Sequence, residues 1–193
     1  MKKLLTFFFT LSMLTTIVYG REITKSYKYG SYEDAKKSNE FIKFDMDSTK
    51  LGIITTTFSG FVKDFTISAN KERSVLKDLK VVFEVKKMDT DIDARNEKMW
   101  NLCLDHKNFS NIIVSFKSEI QRENSEFMAI PATINIRGTE KDFLVNIKTH
   151  KENNKVILQG NALVKLSELN IPDPSIFVAS VSDLVKISFY FSE

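Results

Sequence analysis

Apolar residues recur at every second position over most of this chain, and that period constrains its fold more than any other feature. Period two is the spacing of a β-strand with one buried and one wet face. Leu79, Val81, Phe83 and Val85 alternate with Lys80, Val82, Glu84 and Lys86. Ile112, Val114 and Phe116 follow the same rule, as do Ile130, Ala132, Ile134 and Ile136, then Phe143, Val145 and Ile147. Near the end, Val185, Ile187, Phe189 and Phe191 alternate with Lys186, Ser188, Tyr190 and Ser192. Ile42, Phe44 and Met46 extend the pattern towards the start, with Ile54 and Phe58, then Phe65 and Ile67. Turn-forming groups separate the runs: Ser59-Gly60, Arg122-Glu123-Asn124-Ser125, Arg137-Gly138 and Glu152-Asn153-Asn154-Lys155. The runs number about eight, and their short connections imply antiparallel neighbours. One buried face per strand suits a sandwich or a closed barrel, an all-β fold in either case.

Residues 93–104 break the rhythm. Met99, Leu102 and Cys103 fall at helical spacing beside Trp100 and Leu104, which predicts a helix across one end of the strands, with Asp93 as its cap. A second short helical or turn segment is expected at 175–180, after Pro172-Asp173-Pro174. Residues 21–40 are weakly patterned and read as a loose N-terminal arm.

The first twenty residues read as a signal peptide. Met1-Lys2-Lys3 precedes 15 uncharged residues, 4–18, and Val18-Tyr19-Gly20 offers a small residue for cleavage after Gly20. A membrane-spanning helix wants about 20 apolar residues, whereas this run is shorter and holds Thr6, Thr10, Ser12, Thr15 and Thr16. The expectation is therefore a periplasmic or secreted protein, with residues 21–193 as one domain and no membrane span once the leader is removed.

The remaining chemistry mostly excludes. The chain has 28 basic and 25 acidic residues, and loss of Lys2 and Lys3 brings the remainder close to neutral, which is no footprint for a nucleic acid. Cys103 is the only cysteine and His106 and His150 the only histidines, too few for a disulfide framework or a Cys-rich or His-rich metal site. Cys103 and His106 lie three apart, but Cys103 falls on the apolar face with Met99, where a thiol behaves as a small hydrophobe. If exposed, it could link two copies into a homodimer. Asp89-Thr90-Asp91-Ile92-Asp93 spaces three carboxylates by two, without the Gly and closing Glu of a calcium loop. No phosphate loop or nucleophile–base set is present, so a binding protein is expected rather than an enzyme, with no cofactor and no metal.

The chain holds 16 Phe, three of them in the leader. An eight-stranded barrel is just wide enough to be filled by side chains or to hold one ligand. Period two assigns faces but does not separate a filled barrel from a hollow one.

The stretch Met88-Asp89-Thr90-Asp91-Ile92-Asp93-Ala94-Arg95-Asn96-Glu97-Lys98-Met99 resembles the YceI-like family, in which a strand ends in an acid–Thr pair and Arg-Asp or Arg-Asn opens a helix. Ile112-Ile113-Val114-Ser115-Phe116-Lys117-Ser118 is similar to the strand that follows, Thr133-Ile134-Asn135-Ile136-Arg137-Gly138-Thr139 to a repeated hairpin, and Thr56-Thr57-Phe58-Ser59-Gly60-Phe61 to the first hairpin. The resemblance runs from about Phe41 to the end. Departures lie beside the helix, where Lys98-Met99 stands in place of His-Leu.

The resemblance implies a lipocalin-like antiparallel β-barrel with one or two short helices and an apolar lumen that takes a polyisoprenoid or quinone-like lipid. Candidate lining residues are Phe58 and Phe65, Phe83 and Val85, Val114 and Phe116, Ile134 and Ile136, and Phe143 and Val145, with Met99 and Trp100 at the entrance. The expected function is an exported protein that carries or sequesters a long apolar molecule. The alternative is a filled barrel acting through protein contacts in the cell envelope.

Overall fold

The structure, a computed structural model, describes residues 20–153 and 155–193. The segment read as a signal peptide lies outside the described residues except for Gly20.

Among the described residues, twelve strands form one antiparallel sheet: β1 (Arg21–Lys28), β2 (Phe41–Lys50), β3 (Ile54–Val62), β4 (Asp64–Lys71), β5 (Val75–Glu84), β6 (Met88–Asp89), β7 (Asn111–Phe116), β8 (Ile120–Gln121), β9 (Asn124–Ile136), β10 (Thr139–Glu152), β11 (Lys155–Lys165) and β12 (Ala179–Ser192). Their order is β1-β4-β5-β7-β9-β10-β11-β12-β2-β3-β6, with β8 alongside β5. The count exceeds the expected eight because long staves are interrupted. Only Lys63 separates β3 from β4, and a single 3-10 turn, Val85–Lys87, separates β5 from β6. Since β3 also pairs with β6 through Phe61↔Asp89 and Val62↔Met88, the curled sheet meets itself along this stave.

The break expected at Ser59-Gly60 falls instead at Lys63. β3 runs straight through the glycine, opposite Phe44, because the Phe44 ring occupies the space of a side chain there: a Cβ on Gly60 would lie 2.0 Å from Phe44 Cζ. Arg137 and Gly138 do form a two-residue turn, with φ of 50° and 72°, the positive values a tight hairpin needs. At Asp78 (φ 52°) a bulge shifts the β4–β5 register. It lets Leu76 and Leu79, three apart, both point inward and become almost wholly buried.

Residues 21–40 are not a loose arm. β1 pairs with β4 over all eight of its residues, and Tyr27 stacks on Phe65 with ring centroids 4.6 Å apart. Its hydroxyl donates to the Ser192 carbonyl (2.7 Å), while Lys25 pairs with Glu40 (3.0 Å). The helix α1 (Tyr32–Lys37) follows, with the Ser31 hydroxyl accepting from the Asp34 N–H. The strand escapes the sequence pattern because Lys25 sits between Ile23 and Tyr27 on one face. After Pro174 the chain makes a turn closed by Ile176↔Ala179; the extra short helix is the 3-10 segment Ser167–Leu169, upstream of the prolines.

Two carboxylates tie these parts together. Burial opposes ionisation of Glu40, but hydrogen bonds from Ser192 and Lys25 outweigh it and hold its pKa below the usual range. Burial likewise opposes ionisation of Asp89, where Lys63, the Asp91 N–H and Asn96 prevail. Both groups have folded pKa values below their unfolded ones, so their stabilisation is complete above about pH 5 and is lost as pH falls through the depressed values. Thermal unfolding followed by circular dichroism should therefore show a flat Tm from pH 7 to about 5 and a decline below about 4.

Candidate functional site

The interior divides along the barrel axis. At the end marked by the β10–β11 turn, Phe65, Leu76, Leu79, Ile147 and Leu158 belong to one continuous cluster and are almost fully buried. Towards the opposite end the wall encloses a cavity of about 560 Å³, within the range of about 300–1,000 Å³ usual for small-molecule sites.

Of the twelve candidates, nine line this cavity: Phe58, Phe83, Met99, Val114, Phe116, Ile134, Ile136, Phe143 and Val145. Three do not. Phe65 lies in the filled half against Tyr27. Val85 is buried in a cluster with Ile112 and Leu104 but does not itself reach the cavity, because the 3-10 turn takes it out of strand alternation. Trp100 instead fastens the entrance, its Nε1 donating to the Met88 carbonyl (2.9 Å). Lining residues absent from the candidates include Phe44 and Met46 on β2, Ala162 on β11, and Ile187 and Phe189 on β12. The period-two pattern already placed the β2 and β12 residues on one face.

The mouth is built by α2 (Asp93–Lys98) and a π-helical turn, Met99–Cys103. Asp93 is the first helical residue rather than the cap, and no side chain caps this helix. Its start is held by Asn96, which is buried; its Oδ1 accepts from the Thr90 N–H and hydroxyl (both 2.8 Å) and its Nδ2 donates to Asp89 Oδ1 (2.8 Å). The wide turn, closed by the Leu104 N–H on the Met99 carbonyl (2.9 Å), brings Met99, Cys103 and Leu104 to the cavity together. Cys103 is buried, and burial pushes its thiol pKa up, so it contributes apolar lining rather than a nucleophile.

Charge around the cavity is one-sided. Lys43, Lys50, Arg95 and Lys98 border the cavity, and no Asp or Glu does. Two loop tips stand beside Lys50 and Lys98: the Leu51 N–H donates to the Val178 carbonyl (3.1 Å), and Leu51, Ile53 and Phe177 are exposed, Phe177 completely.

The wall of this lumen is apolar over most of its area. Among the described residues, no group of three or more His, Cys, Asp or Glu could hold a metal ion, and no helix is long and apolar enough to cross a membrane. The family model for the YceI-like domain matches residues 34–192. The chain belongs to the YceI-like family. Solved structures with the same YceI-like fold include a polyisoprenoid binding domain from Saccharophagus degradans implicated in plant cell wall breakdown, at 13% identity and TM-score 0.60, covering 80% of this chain and 94% of that one. Burkholderia cenocepacia BcnA aligns at 14% identity and TM-score 0.64, covering 79% and 96%. The Campylobacter jejuni YCEI protein aligns at 17% identity and TM-score 0.52, covering 69% and 84%. No curated protein sequence matches the chain.

Proposed function

We propose that the protein is exported and carries or sequesters a long apolar molecule, of isoprenoid type, in the barrel lumen. The observation that carries the reading is the 560 Å³ cavity, walled almost wholly by inward-facing aliphatic and aromatic side chains. Such a wall binds by removing hydrocarbon from water, at about 0.8 kcal/mol per CH₂. Each five-carbon unit that enters is then worth about 4 kcal/mol before the costs of association. The name of the Saccharophagus domain supports the isoprenoid class, and the basic start and uncharged run of the leader support export. The exposed tips at Leu51 and Phe177 place apolar surface where the chain would cross into the lumen. A barrel filled along its whole axis would leave no such space, which disfavours action through protein contacts alone.

Protein purified from the exported fraction without detergent should begin at Arg21 by intact mass. It should release an organic-soluble chain on extraction and, once stripped, take up a labelled polyprenol. Extracts without lipid, together with no uptake, would sink the proposal.

A further inference from the structure

The cations bordering the cavity are not all accounted for by the fold. Lys43 is paired with Asp45 (3.0 Å). Among the described residues, Arg95, Lys98 and Lys50 have no carboxylate within 4 Å. Lys98 Nζ donates to the carbonyls of Pro174 (2.6 Å) and Ser175 (3.2 Å); the acid beside it, Asp173, is engaged by the Ser175 N–H (2.8 Å). Arg95 has one long hydrogen bond, from Nη1 to the Thr90 carbonyl (3.4 Å), and its guanidinium lies 4.1 Å from the centroid of the Phe58 ring. It is half-buried, and burial pulls its pKa down, although a guanidinium stays charged throughout the physiological range.

A desolvated cation is normally paired, because the interior does not replace the water it gives up. Arg95 sits three residues before Lys98, so the two side chains share one face of α2, and both border the cavity. Phe58 holds the planar fork in place, which leaves most of its N–H donors without protein acceptors. A planar fork with free donors matches the oxygens of a carboxylate or phosphate.

We propose that the occupant of the lumen is an acidic amphiphile whose phosphate or carboxylate head is held by Arg95, with Lys98 alongside. This rests on the carrier reading and narrows it: a neutral chain would fill the wall equally well but leave the guanidinium unmatched. The hydrophobic wall sets how much chain is bound, and Arg95 selects the head.

The test compares geranylgeranyl phosphate with geranylgeraniol, two ligands of one chain length, by calorimetric titration of the stripped full-length exported protein. The phosphate is expected to bind about tenfold tighter or better at neutral pH, in line with a charge-assisted pair. In Arg95→Gln the phosphate should fall to the affinity of the alcohol while the alcohol is unchanged, which also shows that the lumen of the variant is intact. Arg95→Lys, which keeps the charge but not the fork, should lie between them. Equal binding of phosphate and alcohol by the native protein would overturn the inference and leave the carrier reading standing. So would an Arg95→Gln variant that weakens both ligands alike. Inorganic phosphate binding as tightly as the lipid would reveal a free-anion site and overturn it as well. Failure of both lipids to bind would remove the carrier reading itself.

Discussion

Replacing Ala162 by Trp is expected to abolish lipid capture while the barrel stays folded. Ala162 lies on the inward face of β11, between Val145 on β10 and Ile187 on β12, and lines the cavity. An indole there projects into empty space rather than into packed atoms, so the overpacking that usually punishes such a change in a core does not arise. It takes room that the chain would occupy. Displacing one five-carbon unit forfeits about 4 kcal/mol of burial, which weakens Kd on the order of a thousandfold. The neighbouring position supplies the control. Leu163 points outward and is 60% exposed, so Leu163→Trp should bind lipid as the native protein does. A labelled polyprenol titrated into both variants checks the pair, and equal loss in the two would show that the lumen is not where the chain sits.

The second large effect is on stability. Gly160 is buried on the same face as Ala162, one inward position deeper, opposite Ile147 and Phe189. A Cβ at this position would lie 2.3 Å from Phe189 Cζ and 2.7 Å from the Asn146 carbonyl oxygen. The ring of Phe189, stacked on Phe191 at 5.1 Å, cannot turn aside without leaving that stack, and the carbonyl belongs to the adjacent strand. Gly160→Val should therefore cost about 3 kcal/mol or more, the upper end of overpacking penalties. For a domain of this size that lowers Tm by roughly 6–12 °C, measured by calorimetry or circular dichroism. A loss under about 1 kcal/mol would mean that β10 and β11 are free to separate there.

Much of this was legible from alternation. Parity tells which side chains face inward, and it correctly oriented Phe83, Val114, Phe116, Ile134 and Val145. It does not tell how deep along the axis each one lies. Phe58 and Phe65 both face inward, but one borders the cavity and the other is packed in the filled half. Depth depends on the stagger between strands, which no local pattern encodes. The other gaps come from places where backbone geometry overrides the period: the bulge at Asp78, the 3-10 turn that removes Val85, and the π-helical turn that sends Trp100 to the Met88 carbonyl instead of the lumen. Arg95 was visible as part of a motif, but its missing partner is a fact about space, since it requires knowing that no acid borders the same cavity.

Among the described residues β3 meets β6 through two registered positions, Phe61↔Asp89 and Val62↔Met88, with the Lys63 N–H donating to the Lys87 carbonyl (2.7 Å) beside them. The rest of β3, residues 54–60, is paired on the β2 side alone. A wall joined in this way has a seam, the shortest pairing between neighbouring long staves. Parting it would break these pairings, the bond from the Lys63 N–H to the Lys87 carbonyl (2.7 Å) and the Lys63–Asp89 ion pair (2.8 Å), but would spare the long ladders from β9 to β12, so it costs less than global unfolding. The stretch 54–60, beside the mouth, is therefore the part of the wall whose circumference backbone pairing fixes least.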